Sequence, residues 1–248
     1  MRYLIIFLSF FSFAFATKQI ETAHFIILYE NIALADYAQD VAAEAERALE
    51  ILAPIFSTPK NKIIIRFETN NDSFNAFATP LPRSTMVFRT AKSGSFSSLI
   101  TVIIHELTHI KQLGFTDGVD GNRGLFLGLD LGTGYEDIAA LAPAWFIEGI
   151  ATWVESHYAI NGRLYDSKTT QIIDSLVLSE NWPSLDDLSL ANLDFWPAGA
   201  ARYYLGVEFI EYLVQKYSFE QIVELLKNYN SSYYRDSFSQ NWQKVTGS

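Results

Sequence analysis

The chain contains no cysteine in its 248 residues, which excludes disulfide cross-links and a lipid anchor on a cysteine. Positive charge is scarce as well: 18 Lys and Arg stand against 28 Asp and Glu, a formal net charge of −10. Nucleic acid and anionic membrane surfaces are recognised through clustered Lys and Arg, so neither is an expected partner. A peptide is compatible with this balance unless it is itself strongly acidic. No segment approaches the ~20 apolar residues that spanning a bilayer requires, so stable membrane insertion is not expected. Internal repeats, low-complexity tracts and an inter-domain linker are not visible. Histidine is rare too, with 4 in the chain, which gives weight to any pattern that gathers two of them.

What the chain does have begins at its N-terminus. Met1 to Ala16 carries one charge, Arg2, then an apolar core from Tyr3 to Phe13 and the small-x-small end Ala14-Phe15-Ala16. This is the anatomy of a secretory signal peptide over 1–16, with cleavage before Thr17 and a secreted or periplasmic destination. Residues 17–248 are long enough for one domain with a substantial core. Short apolar runs at 24–29 and 62–67 read as buried strands. Between them, apolar residues from Leu34 to Leu52 recur at helical spacing with Glu44, Glu46 and Glu50 opposite, predicting an amphipathic helix over 33–53 that ends before Pro54. Met86 to Phe88 reads as an edge strand, and Ser97 or Ser98 as the cap of the helix that follows. After residue 142 the pattern is helical only, at 143–157, 167–177, 199–216, 218–229 and 235–245. The expected class is α+β: a small mixed sheet with one central helix (17–113), a glycine-rich loop (114–142) and a helical subdomain (143–248).

The central helix carries His105-Glu-Leu-Thr-His109, directly after the apolar run Leu99 to Ile104. Positions i and i+4 lie on one helix face, so both imidazoles can reach one metal ion, with Glu106 beside it. Zinc in such a site lowers the pKa of a bound water to about 7, and a neighbouring carboxylate can take its proton. The plain alternative is a pair of histidines on an amphipathic helix. A hydrolytic zinc site needs a third protein ligand and an open position. The HExxHxxGxxH variant is excluded, because Gln112 and Phe115 occupy the Gly and third His positions. Glu136 and Asp137, after Gly132-Thr-Gly134, resemble the aspzincin GTxD element but at the wrong spacing. Glu148 lies in the apolar helix Pro143-Ala-Trp-Phe-Ile-Glu-Gly-Ile-Ala-Thr-Trp-Val-Glu155, where a carboxylate is costly to bury unless paired or bound to metal. Glu155, two turns on, either hydrogen-bonds a ligating histidine or is a solvated charge near the helix end. His24 and His157 read as structural.

Together, His105-Glu-Leu-Thr-His109 and Pro143-Ala-Trp-Phe-Ile-Glu-Gly-Ile-Ala151 resemble the gluzincin branch of HExxH peptidases, in particular the bacterial peptidase MA-like domains related to alanyl aminopeptidases. The resemblance covers most of residues 20–245. It implies a thermolysin-like catalytic core, a Zn2+ cofactor held by His105, His109 and Glu148, Glu106 as general base and a peptide or protein substrate. The stretch Phe195 to Leu213 resembles the Tyr-x-x-Gly helix of these domains, which puts Tyr203, three before Gly206, in the role of oxyanion donor, with Tyr204 as the alternative. The interval from His109 to Glu148 is longer than in the aminopeptidases, and their Gly-Ala-Met-Glu-Asn motif is absent. Without that acidic anchor for a free amino terminus, an endopeptidase or a narrow processing role stands beside aminopeptidase activity. A catalytically silent binding module of the same fold is the reading from another class. Residues 114–134 are expected to border the substrate cleft, and Asp117, Asp120, Asn122 and Asp130 miss the EF-hand calcium spacing.

Overall fold

The computed structural model describes residues 17–69, 75–79, 83–89, 99–114, 142–189, 196–231 and 238–247. The expected signal peptide, the caps Ser97 and Ser98, and the acidic residues at 117, 120, 130, 136 and 137 lie outside the described residues, as does nearly all of the glycine-rich stretch.

Strand β2 (Phe25–Tyr29) buries every second residue, Phe25, Ile27 and Tyr29, against the core. Helix α1 (Ala35–Leu52) answers with Ala38, Val41, Ala42, Ala45, Ala48 and Leu52, a stripe small enough to bring its backbone close to the sheet. Strand β3 (Ile63–Glu68) returns parallel to β2 with Ile63 opposite Phe25, so β2, α1 and β3 form a crossover unit. Strand β1 (Lys18–Glu21) pairs antiparallel with β2, β5 (Thr85–Arg89) parallel with β3, and β4 (Asn75–Thr79) antiparallel with β5. The result is a five-stranded mixed sheet in the order β1-β2-β3-β5-β4.

The segment Met86 to Phe88, expected at an edge, is interior, because β4 pairs outside it. Met86, Val87 and Phe88 are all fully buried, which is the continuous burial of a strand covered on both faces. β1 and β4, the edges among the described residues, read Lys-Gln-Ile-Glu and Asn-Ala-Phe-Ala-Thr. Neither has the β-branched density that marks a strand in isolation.

Helix α2 (Leu99–Gly114) opens on Leu-Ile-Thr-Val-Ile-Ile, residues that alone favour strand. Burial decides: Ile103, Ile104 and Leu107 are wholly enclosed, and a helix apolar on every side is stable only in a core. Helix α3 (Ala144–Tyr158) starts after Pro143, which is its N-cap residue, and buries all but a few of its side chains. Beyond it come a 3-10 turn (Arg163–Tyr165), α4 (Ser167–Ser179), the short α5 (Leu185–Leu188), α6 (Ala201–Tyr217), α7 (Phe219–Ser231) and α8 (Phe238–Thr246). The α+β class and the helical second half stand as expected. Among the described residues no helix is long and apolar enough to cross a membrane.

The crossing of α3 and α6 positions the site. A Cβ on Gly149 would lie 2.7 Å from the Gly206 carbonyl oxygen, and one on Gly206 would lie 2.7 Å from that of Trp145. The two helices therefore touch backbone to backbone, one residue after Glu148 and one turn after Tyr203.

Candidate metal centre

His105 and His109 project from one face of α2 toward α3, both buried. Their Nε2 atoms are 3.0 Å apart. From α3, Glu148 brings Oε2 to 3.1 Å from His109 Nε2 and 3.4 Å from His105 Nε2. A tetrahedral zinc with bonds of about 2.0–2.1 Å holds its ligand atoms roughly 3.3 Å apart, so the three protein atoms already stand at the separations such an ion needs.

The partners of the other ring nitrogens decide what those three atoms are. Gln112 Nε2 donates to the Ile147 carbonyl at 2.9 Å, which turns the amide oxygen toward His109 Nδ1, 2.8 Å away. His109 Nδ1 is then the donor and, in the neutral ring, Nε2 presents a lone pair. His105 Nδ1 donates in the same way to Glu155 Oε2 at 2.8 Å. Arg163 Nη2 also lies 2.8 Å from that Nδ1, but a guanidinium has no acceptor; both nitrogens donate to the same Glu155 Oε2. Two imidazole lone pairs and a carboxylate oxygen thus converge on one point, an arrangement that needs a cation at its centre. Without a metal, a proton takes the part. Burial and the Arg163 charge pull the His105 pKa down, yet the carboxylates of Glu148 and Glu155 outweigh them and raise it to about 9. Burial would raise Glu148, but His109 and His105 hold its carboxyl well below the ordinary range.

Glu106 follows His105 on α2 and is 5% exposed. Its Oε2 is buried with no hydrogen-bond partner among the described residues. Burial raises its pKa, with His105 and His109 pulling the other way and Glu148 adding to the rise. Tyr203, on α6, donates its hydroxyl to Glu148 Oε1 at 3.1 Å. Burial and the Glu148 charge push its pKa up, so the phenol stays protonated. The neighbouring Tyr204 is elsewhere: it is buried, with the Lys168 ammonium 5.4 Å from its ring.

Of the residues singled out in the sequence, His105, His109, Glu148 and Tyr203 are brought together by direct contacts, with Glu106 buried one residue from the first of them. Glu155 is not a solvated charge; it is 2% exposed and held to a pKa of about 2, burial being overcome by Arg163 and His105. His24 and His157 lie apart from the site, in contact with Glu46 and with Trp153, Tyr165 and Glu211 respectively. Two participants were not anticipated from sequence. Gln112 sits one turn beyond His109, a spacing that signals a neighbour on the same face. Arg163 arrives through a turn, and no local spacing marks it.

No family model matches the chain. It is similar to an uncharacterized protein of Treponema pallidum (strain Nichols), 26% identical over 237 residues, in a match that takes in 92% of this chain. The match covers 20% of that protein, so the chain spans about a fifth of the length of this relative.

Proposed function

We propose that the chain is a zinc-dependent peptidase of gluzincin type, allied to the bacterial peptidase MA-like domains and acting on peptide bonds outside the cytoplasm. The observation that carries this reading is the convergence of three lone pairs, on His105, His109 and Glu148, beside a buried carboxyl with one oxygen unpartnered among the described residues. On the same reading the mixed sheet, α2 and the helices beyond are a thermolysin-like core. A zinc ion held by these three side chains supplies a Lewis acid that polarises a carbonyl and makes a water more acidic. Glu106 takes the proton of the attacking water and returns it to the leaving amine, a shuttle suited to a carboxyl whose pKa burial has raised. Tyr203 turns its hydroxyl to the carbonyl oxygen as negative charge develops there, and a neutral phenol does so without adding a charge of its own.

The test is metal analysis of the purified protein combined with digestion of a peptide library, read by mass spectrometry. One zinc per chain and defined cleavage sites are expected. Glu106→Gln should keep the metal and lose about 10²–10⁴-fold in rate, the usual contribution of general acid-base catalysis. Absence of stoichiometric zinc, or unchanged cleavage by Glu106→Gln, sinks the reading. Zinc without cleavage points to the silent binding module.

A further inference from the structure

After α3 the chain turns back at Gly162, where a Cβ would lie 2.0 Å from the Ser156 Cα. Only a residue without a side chain permits that return, and it delivers Arg163 to the end of α3. There Arg163 Nε donates to Glu155 Oε1 at 2.7 Å and Nη2 to Glu155 Oε2 at 2.8 Å. Its own backbone N–H adds a third bond to Oε1 at 3.2 Å. The carboxylate so gripped is the acceptor of His105 Nδ1. The guanidinium carbon of the same arginine lies 4.7 Å from the centroid of the Tyr203 ring.

We propose that Arg163 is a positioning residue for the metal centre, acting through both neighbours at once. By fixing both oxygens of Glu155 it orients His105 so that Nε2 faces the metal position. By stacking on Tyr203 it holds the phenol where its hydroxyl reaches Glu148. The inference rests on the zinc-peptidase reading. The simpler role, neutralising a buried carboxylate, could be filled by any cation. The geometry asks for more, because a planar fork defines the plane and rotation of the carboxylate, and a flat face is needed beneath the ring; an ammonium offers neither.

Arg163→Lys separates the two roles. It keeps the charge and loses the fork and the face. Zinc affinity, measured by competition with a chromophoric chelator, should fall about 10-fold or more, the usual cost of disturbing the partner of a ligating histidine. The visible absorption bands of the cobalt(II)-loaded protein should shift as His105 tilts, while thermal unfolding of the metal-free protein shows the fold intact. If Arg163→Lys does not fold, the double variant Arg163→Gln with Glu155→Gln, a neutral pair of similar shape, takes its place with the same expected loss. Wild-type affinity and an unshifted cobalt spectrum in a folded variant overturn the role of Arg163 alone. Failure of the unaltered protein to take up either metal overturns the zinc reading, and this inference with it.

Discussion

Gln112 does for His109 what Glu155 does for His105, but without a charge. Its amide spans two elements, accepting from His109 on its own helix and donating to the Ile147 carbonyl on α3. Gln112→Met keeps the volume and removes both hydrogen bonds. Zinc affinity in a chelator competition should drop about 10–100-fold. Stability in urea should fall by about 1–3 kcal/mol, because two buried hydrogen bonds, to the Ile147 carbonyl and from His109 Nδ1, are lost. An unchanged zinc affinity in this variant would show that the tautomer of His109 is set by something else. At this scale legibility follows the spacing of residues along the chain. His105, Glu106 and His109 were readable because one helical turn joins them, and Glu148 because a carboxylate in the middle of an apolar helix is costly unless it is paired or bound to a metal. Arg163 was not, since seven intervening positions separate it from Glu155, and no periodicity registers a return enabled by one glycine.

Between elements, the geometry of the site depends on how closely α3 and α6 approach. Gly149 and Gly206 let the helices meet at backbone contact, and this sets Tyr203 within reach of Glu148. Gly206→Ala gains about 1 kcal/mol of intrinsic helix preference, yet its new methyl would meet the Trp145 carbonyl oxygen at 2.7 Å. Rigid backbone cannot yield as a flexible side chain does, so the crowding should outweigh the gain and cost a net ~1–3 kcal/mol. Denaturant unfolding measures that, and the same variant should lose turnover beyond its loss of stability as Tyr203 is carried away from the site. Equal or greater stability than the unaltered chain would mean that the crossing tolerates separation. The long helices were legible because their apolar residues repeat over several turns. The edge strands β1 and β4 were not, since four or five mixed residues gain their strand identity from pairing with β2 and β5. That omission is also what put Met86 to Phe88 at the rim.

For the molecule as a whole, the candidate metal centre lies on the seam between two halves. α2 belongs with the sheet and contributes His105, Glu106 and His109, whereas α3, the turn after it and α6 contribute Glu148, Glu155, Arg163 and Tyr203. On the proposed reading, a zinc ion bound there would tie the halves together. The three proposed ligands are brought together only by the fold, so the free energy of binding would appear as free energy of folding. Zinc at a thousand times its dissociation constant should add about 4 kcal/mol. For a domain of this length that corresponds to a rise in Tm of roughly 8–16 °C, given about 2–4 °C per kcal/mol. EDTA should reverse the rise, and Glu148→Ala, which removes the one of the three proposed ligands that comes from the helical half, should largely abolish it. Magnesium and calcium should leave Tm nearly unchanged, because both prefer oxygen ligands and this set offers two nitrogens and one carboxylate. Scanning calorimetry with each metal decides the matter: an equal response to zinc and calcium, or a full zinc response in Glu148→Ala, would mean that the ion binds elsewhere and that the seam is held by packing alone.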